Sequence, residues 1–223
     1  MKKIIFVCVV VAIATLTSCE KKEAARSQVT DQVYTEAVEG GFYVVNSYGD
    51  GQFSAPLTDK IYDKVVFDKP TDLIFAYKGR SFDIFTKDGN ARGEGGYEGY
   101  KVDGDIVHFA KGDMTMLYSK RGVVIGTFAT SDFVVDHGLI FTKNPKGLWS
   151  LRDLNGDYLT DVSYEKIYII DLKDDGSFDK LCYRDGWSLT GSDGGAYDKS
   201  STEGAVKALK KKNPTVPVGV VDI

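Results

Sequence analysis

A pattern that returns about every 35 residues constrains this chain more than any other feature. Leu73-Ile74-Phe75 leads to Lys78-Gly79, then to Phe82-Asp83-Ile84-Phe85, then to Lys87-Asp88-Gly89. Three later stretches repeat that order, so that one glycine series stands at Gly79, Gly112, Gly147 and Gly186, with spacings of 33, 35 and 39. A second stands at Gly89, Gly122, Gly156 and Gly194, with spacings of 33, 34 and 38. A third landmark keeps step: Tyr62-Asp63-Lys64-Val65, Tyr97-Glu98-Gly99-Tyr100 and Tyr164-Glu165-Lys166-Ile167 each precede the next apolar run. A more degenerate unit runs from Gly41 through Phe42-Tyr43-Val44-Val45 to Gly51. About five units therefore fill roughly residues 40–195.

Each unit has the chemistry of a β-hairpin. Short runs of Val, Ile, Phe, Tyr and Trp favour strands, and Asp88-Gly89, Asn155-Gly156 and Asp193-Gly194 offer the positive φ that tight turns demand. Phe82 and Ile84, like Trp149 and Leu151, alternate with polar neighbours, which predicts one buried and one solvated face. A lone hairpin is marginal in water, so successive units must stack into a shared core. The expectation is an all-β chain of tandem hairpin or meander repeats, about five, forming an open twisted array or a small propeller. Propeller blades run to about 40–45 residues, which favours the open array. One short helix is predicted over residues 201–212, opened by the Ser201 hydroxyl, ended by Asn213-Pro214 and packed through Val206 and Leu209, with an extended tail after it. Lys210, Lys211 and Lys212 read as its solvated end.

The unit Lys146-Gly147-Leu148-Trp149-Ser150-Leu151-Arg152-Asp153-Leu154-Asn155-Gly156, followed by Tyr164-Glu165-Lys166-Ile167, resembles the WG repeat, a β-rich module of bacterial proteins. Gly186-Trp187 carries part of the same pattern. Ser150 and Ser188 replace the glycine after tryptophan, and Phe82 and Thr115 stand at the tryptophan position, so the units are divergent. The resemblance implies an interaction or scaffold role and carries over no catalytic residue.

The N-terminus supplies an address. Lys2 and Lys3 precede 13 apolar or small residues, too few to span a bilayer, and Leu16-Thr17-Ser18-Cys19 resembles a lipobox. Residues 1–18 read as a lipoprotein signal peptide, with Cys19 acylated and anchoring the chain to a membrane. Residues 19–39 read as a polar tether, 40–198 as the repeat domain and 199–223 as the C-terminal helix and tail. The implied location is the bacterial cell envelope, at the outer membrane, facing either side of it.

Composition narrows the chemistry. Without residues 1–18 the chain holds 26 Lys and Arg against 32 acids, a formal −6, which argues against nucleic acid as a partner. Cys182 is then the one cysteine left besides Cys19, so the fold has no internal disulfide and Cys182 reads as a small buried residue. His108 and His137 lack a second histidine or cysteine at zinc-ligand spacing, and no nucleophile elbow, P-loop or dinucleotide fingerprint occurs. Asp153, Asn155 and Asp157 place oxygens at alternate positions, a weak candidate for a calcium turn. An EF-hand would want Gly and Glu where Tyr158 and Tyr164 stand, and the repeat already needs a turn there. No cofactor is expected. The sequence thus points to a lipid-anchored binding or scaffold protein with a protein, peptide or glycan partner in the envelope. An envelope hydrolase using carboxylates that the sequence does not rank is the alternative.

Overall fold

Five small sheets follow one another along the chain, built from strands adjacent in sequence except that the last strand joins the fifth sheet after a helix. In the computed structural model, residues 24–223 are described; the signal-peptide reading and Cys19 lie outside them. Sheet 1 holds β1 (Arg26–Gln28), β2 (Val33–Val38), β3 (Gly41–Gly49) and β4 (Gln52–Phe53). Sheet 2 holds β5 (Lys64–Asp68), β6 (Leu73–Lys78), β7 (Ser81–Thr86) and β8 (Ala91–Tyr97). Sheet 3 holds β9 (Gly99–Asp103), β10 (Ile106–Lys111), β11 (Met114–Ser119) and β12 (Val123–Ala129). Sheet 4 holds β13 (Phe133–Asp136), β14 (Leu139–Lys143) and β15 (Trp149–Arg152). Sheet 5 holds β16 (Lys166–Ile170), β17 (Asp179–Tyr183) and β18 (Trp187–Gly191), then helix α1 (Lys199–Lys212) leads to β19 (Val218–Val220). The fold is an all-β array of antiparallel meanders with one short C-terminal helix.

The repeat landmarks fall at equivalent places. Gly79, Gly112, Gly147 and Gly186 turn the central hairpins, and every member of both glycine series has positive φ. The tyrosine element links sheet 1 to 2, sheet 2 to 3 and sheet 4 to 5. Tyr62 and Phe42 exchange two backbone hydrogen bonds of 2.9 Å, Tyr164 and Trp149 exchange two of 2.7 Å, and Tyr97 pairs with Phe82. Gly41 must be glycine beside this link, because a Cβ there would lie 2.2 Å from the Tyr62 carbonyl oxygen, at φ +148°.

Three boundaries differ from expectation. Residues 26–28 and 33–38 are not tether: they form half of sheet 1, with Val33 fully buried. Their composition hid this because only Val33 and Thr35 of the two strands are buried, so little apolar surface is needed. Likewise β19 is no loose tail. It pairs in parallel with β16, matching Ile167 to Val218 and Ile169 to Val220, and it buries Val218. The helix starts earlier than predicted, since Asp198 rather than Ser201 is the N-cap and accepts the Ser201 N–H at 2.8 Å.

Packing follows strand alternation. On the third strand of a unit, the residue at the WG tryptophan position and the one two beyond it face the following sheet. The residues between and after them face the preceding one. Thus Phe82 and Ile84 pack with Phe109 and Met116 of sheet 3, whereas Phe85 packs with Val33, Val44 and Tyr62 on the sheet 1 side. Trp149 and Leu151 pack with Ile167 and Cys182 of sheet 5. Trp187 and Leu189 meet Val206 and Leu209 of α1, so the helix covers the face that a sixth sheet would cover. At the other end, Arg26 lies 4.2 Å from the Phe53 ring centroid and pairs with Glu36 at 2.6 Å, while Tyr34 meets Phe53 edge-on. Among the described residues, apolar clusters join sheets 1–2, 2–3, 3–4, 4–5 and sheet 5 to α1, and none joins sheet 5 to sheet 1. Helix α1 thus caps the sheet 5 end of the array.

Candidate functional site

The junction between sheets 3 and 4 differs from its neighbours. Its deep part is aliphatic: Ile106, Leu117, Ile125 and Ile140. Toward the outer strands it opens into a groove of about 600 Å³ with Phe128 and Met114 on one wall and Thr142, Ser150, Arg152 and Tyr158 on the other. Thr142 pairs with Ser150 and Ile140 with Arg152 across β14 and β15, so the alternation that buries Trp149 and Leu151 on one face sends Ser150 and Arg152 to this one.

Arg152 is held from three sides. Its Nε donates to Thr142 Oγ1 at 3.3 Å, Nη1 to the Gly156 carbonyl at 3.1 Å, and Nη2 to the Tyr158 hydroxyl. The guanidinium also lies over the Tyr158 ring, its carbon 3.9 Å from the centroid, while Tyr158 stays 60% exposed. Among the described residues, no carboxylate comes within salt-bridge distance of it. The Ser150 and Ser163 hydroxyls sit 2.8 Å apart beside it. The groove's other cation, Lys143, is spent on Asp132 at 2.7 Å, and that ammonium's hydrogen bond holds the Asp132 carboxyl below its ordinary range. One guanidinium with spare donors among hydroxyls can recognise an anion. Asp132 is the one carboxylate lining the groove, where glycoside hydrolysis would ask for a pair.

The proposed calcium turn belongs to this site in another way. Asp153 Oδ1 accepts the N–H groups of Asn155 and Asp157 at 2.8 and 2.9 Å, Asp153 Oδ2 accepts from the Asn155 amide, and Asn155 Oδ1 accepts from Arg121. Among the described residues no three His, Cys, Asp or Glu side chains group to hold a metal ion, and the Asp153 carboxylate accepts from its own turn. Asp153, Asn155 and Asp157 form a turn that presents the Gly156 carbonyl to Arg152 and brings Tyr158 alongside.

The remaining sequence candidates lie apart. Cys182 is buried between sheets 4 and 5, and burial pushes its thiol up to about 12. His108 is half-buried on β10 against Phe133, where burial lowers its pKa, and His137 is exposed with Nδ1 2.7 Å from Asp136. Asp83 is the most buried carboxylate described, and it accepts from Lys60 Nζ at 2.7 Å, Tyr62 OH at 2.8 Å and Gly96 N–H at 2.7 Å. With its oxygens so occupied, it ties the loop before β5 and the β8 bulge to sheet 2. Lys210, Lys211 and Lys212 are exposed at the end of α1.

Arg152 was not among the sequence candidates, although the repeat carries a signal for it. The residue three beyond the WG tryptophan position is Phe85 in sheet 2 and Tyr118 in sheet 3, both buried, and it is Arg152 in sheet 4.

No protein-family model matches the chain, and no curated protein matches it in sequence. Among solved structures it is similar to Hsv2 of Kluyveromyces marxianus, at 11% identity and a TM-score of 0.27, over 74% of this chain and 56% of that one. It is similar to the Pan2 WD40 domain of Neurospora crassa, at 11% identity and a TM-score of 0.25, over 78% of this chain and 65% of that one. It is also similar to PorZ, a surface component of the type-IX secretion system of Porphyromonas gingivalis, at 10% identity and a TM-score of 0.23, over 74% of this chain and 32% of that one. The chain thus spans about half the length of Hsv2 and a third of PorZ, and at TM-scores this low the architecture rests on the chain's own sheets.

Proposed function

We propose that this chain is a lipid-anchored binding protein of the bacterial cell envelope, tethered through Cys19 and offering the groove between sheets 3 and 4 to an envelope partner. The observation that carries the reading is Arg152: a charged side chain stands where sheets 2 and 3 bury Phe85 and Tyr118, and among the described residues no acid pairs with it. An ionised group at a packed position costs stability, so its presence points to a ligand that uses it. The lipobox-like Leu16-Thr17-Ser18-Cys19 supports the anchor, and the WG-like unit at Lys146 supports an interaction role. Partner capture from native membranes by the intact lipoprotein, beside its Arg152→Glu variant, tests the proposal. One stoichiometric partner recovered by the wild type and lost by the variant is expected. Recovery of none, together with turnover of a glycan or peptide, overturns it. Release of a Cys19→Ala variant into the soluble fraction checks the anchor separately.

A further inference from the structure

The donors at the mouth of the groove say what kind of ligand it takes. Arg152 has five N–H groups and spends three, one on each nitrogen, on Thr142, Gly156 and Tyr158. One N–H remains on each terminal nitrogen, which is what a carboxylate needs for two hydrogen bonds. The guanidinium is already fixed by three acceptors and by the Tyr158 ring, so little ordering is lost when a ligand binds. Around it the wall is hydroxyl-rich: Ser150 and Ser163 share one hydrogen bond and keep further donor and acceptor capacity, with the Thr142 hydroxyl beside them.

We infer that the groove binds an acidic saccharide, a glycan carrying a ring carboxylate of the uronic-acid kind. Its carboxylate sits on Arg152 and its ring hydroxyls exchange hydrogen bonds with Ser150 and Ser163. The balance of groups selects this class. The groove offers one uncompensated cation beside several hydroxyls, the complement of a sugar ring with one carboxylate and several hydroxyls. A polyacidic peptide would find a single cation for its many charges, because Lys143 is already neutralised by Asp132.

The inference rests on the groove being the binding surface, and its test separates the two. The purified full chain in detergent is titrated calorimetrically with oligogalacturonate, with a neutral glucan oligosaccharide of equal length and with oligoglutamate. Oligogalacturonate alone is expected to bind, weakening with salt. Arg152→Gln should weaken it about tenfold or more, as loss of a charge-assisted bond requires. Ser163→Ala, which keeps the guanidinium clamp, should weaken it by a smaller factor. Equal binding of the neutral oligosaccharide, preference for oligoglutamate, or an affinity unchanged in both variants overturns the inference. If Arg152→Glu abolishes membrane-partner capture while oligogalacturonate fails to bind, the groove stands as the binding surface and the saccharide assignment falls. If neither capture nor oligogalacturonate binding responds to Arg152, both fall.

Discussion

The junctions on the two faces of sheet 3 are built from the same repeat and end differently. Between sheets 2 and 3, Phe75, Phe82, Tyr97 and Phe109 interlock, with Phe75 and Phe82 stacked at 5.0 Å and Phe109 edge-on to Phe75 at 6.0 Å. Between sheets 3 and 4, only the deep aliphatic part is comparable, and the outer part gives way to hydroxyls and a guanidinium. Both junctions join antiparallel hairpin units. Among the residues that change are two on the third strand, where sheet 3 brings Met116 and Tyr118 and sheet 4 brings Ser150 and Arg152. One junction is invested in stability; the other keeps an opening. A repeat protein can specialise one interface in this way because each sheet depends mainly on its neighbours.

The largest effect should come from breaking the dry junction. Phe109 is fully buried and touches the rings of Phe75, Phe82, Tyr97, Tyr100 and Tyr118. Phe109→Ala is expected to cost about 4 kcal/mol, by lost transfer free energy and by the cavity it leaves. Equilibrium urea unfolding would show this as a lower midpoint. A loss below about 1 kcal/mol would mean that this junction is no tighter than its neighbour.

The sequence carried the repeat clearly because strand alternation and turn glycines are local properties. Asp88-Gly89 and Asn155-Gly156 announce their turns whatever the rest of the chain does. The first two strands were illegible for the opposite reason. Residues 24–38 look like solvated tether, and β2 becomes a strand only because sheet 2 exists to bury Val33. The tail was hidden likewise, since Val218 is set by a parallel pairing to Ile167 far back in the chain. The site was half legible. Aligned units display Arg152 against Phe85 and Tyr118, but only the folded chain shows that no acid answers it and that the Asp153 turn holds it in place.

An intermediate effect is expected on the other side of sheet 2, where Asp83 accepts three hydrogen bonds. Asp83→Ala would leave the Tyr62 hydroxyl, the Gly96 N–H and the Lys60 ammonium without their acceptor, at a cost of about 2 kcal/mol. This carboxyl also gives the acid limb a signature. Burial by itself would raise its pKa, but hydrogen bonds from Lys60, Tyr62 and Gly96 outweigh that and hold it below the ordinary 3.8. Its contribution is therefore present above pH 3.8 and is lost as the pH falls through the lower folded value. Urea midpoints measured downward from pH 6 should fall less steeply in Asp83→Asn than in the wild type. Parallel slopes would remove Asp83 from the account.

The smallest stability effect should accompany the sharpest change in behaviour. Arg152→Phe restores at sheet 4 the aromatic that Phe85 supplies in sheet 2 and so converts the open junction toward the dry one. The change removes a half-buried cation and gains apolar contact with Phe128, while forfeiting the hydrogen bonds to Thr142, Gly156 and Tyr158. Replacing buried ionic groups by apolar ones of similar volume is commonly neutral or stabilising, so the expected shift is within about 1 kcal/mol of wild type. Ligand and partner capture should nonetheless disappear. Stability retained with binding lost means that the guanidinium is kept for recognition. A loss above about 3 kcal/mol would instead make Arg152 the structural support of sheet 4, and the contrast between the two junctions would then be one of architecture alone.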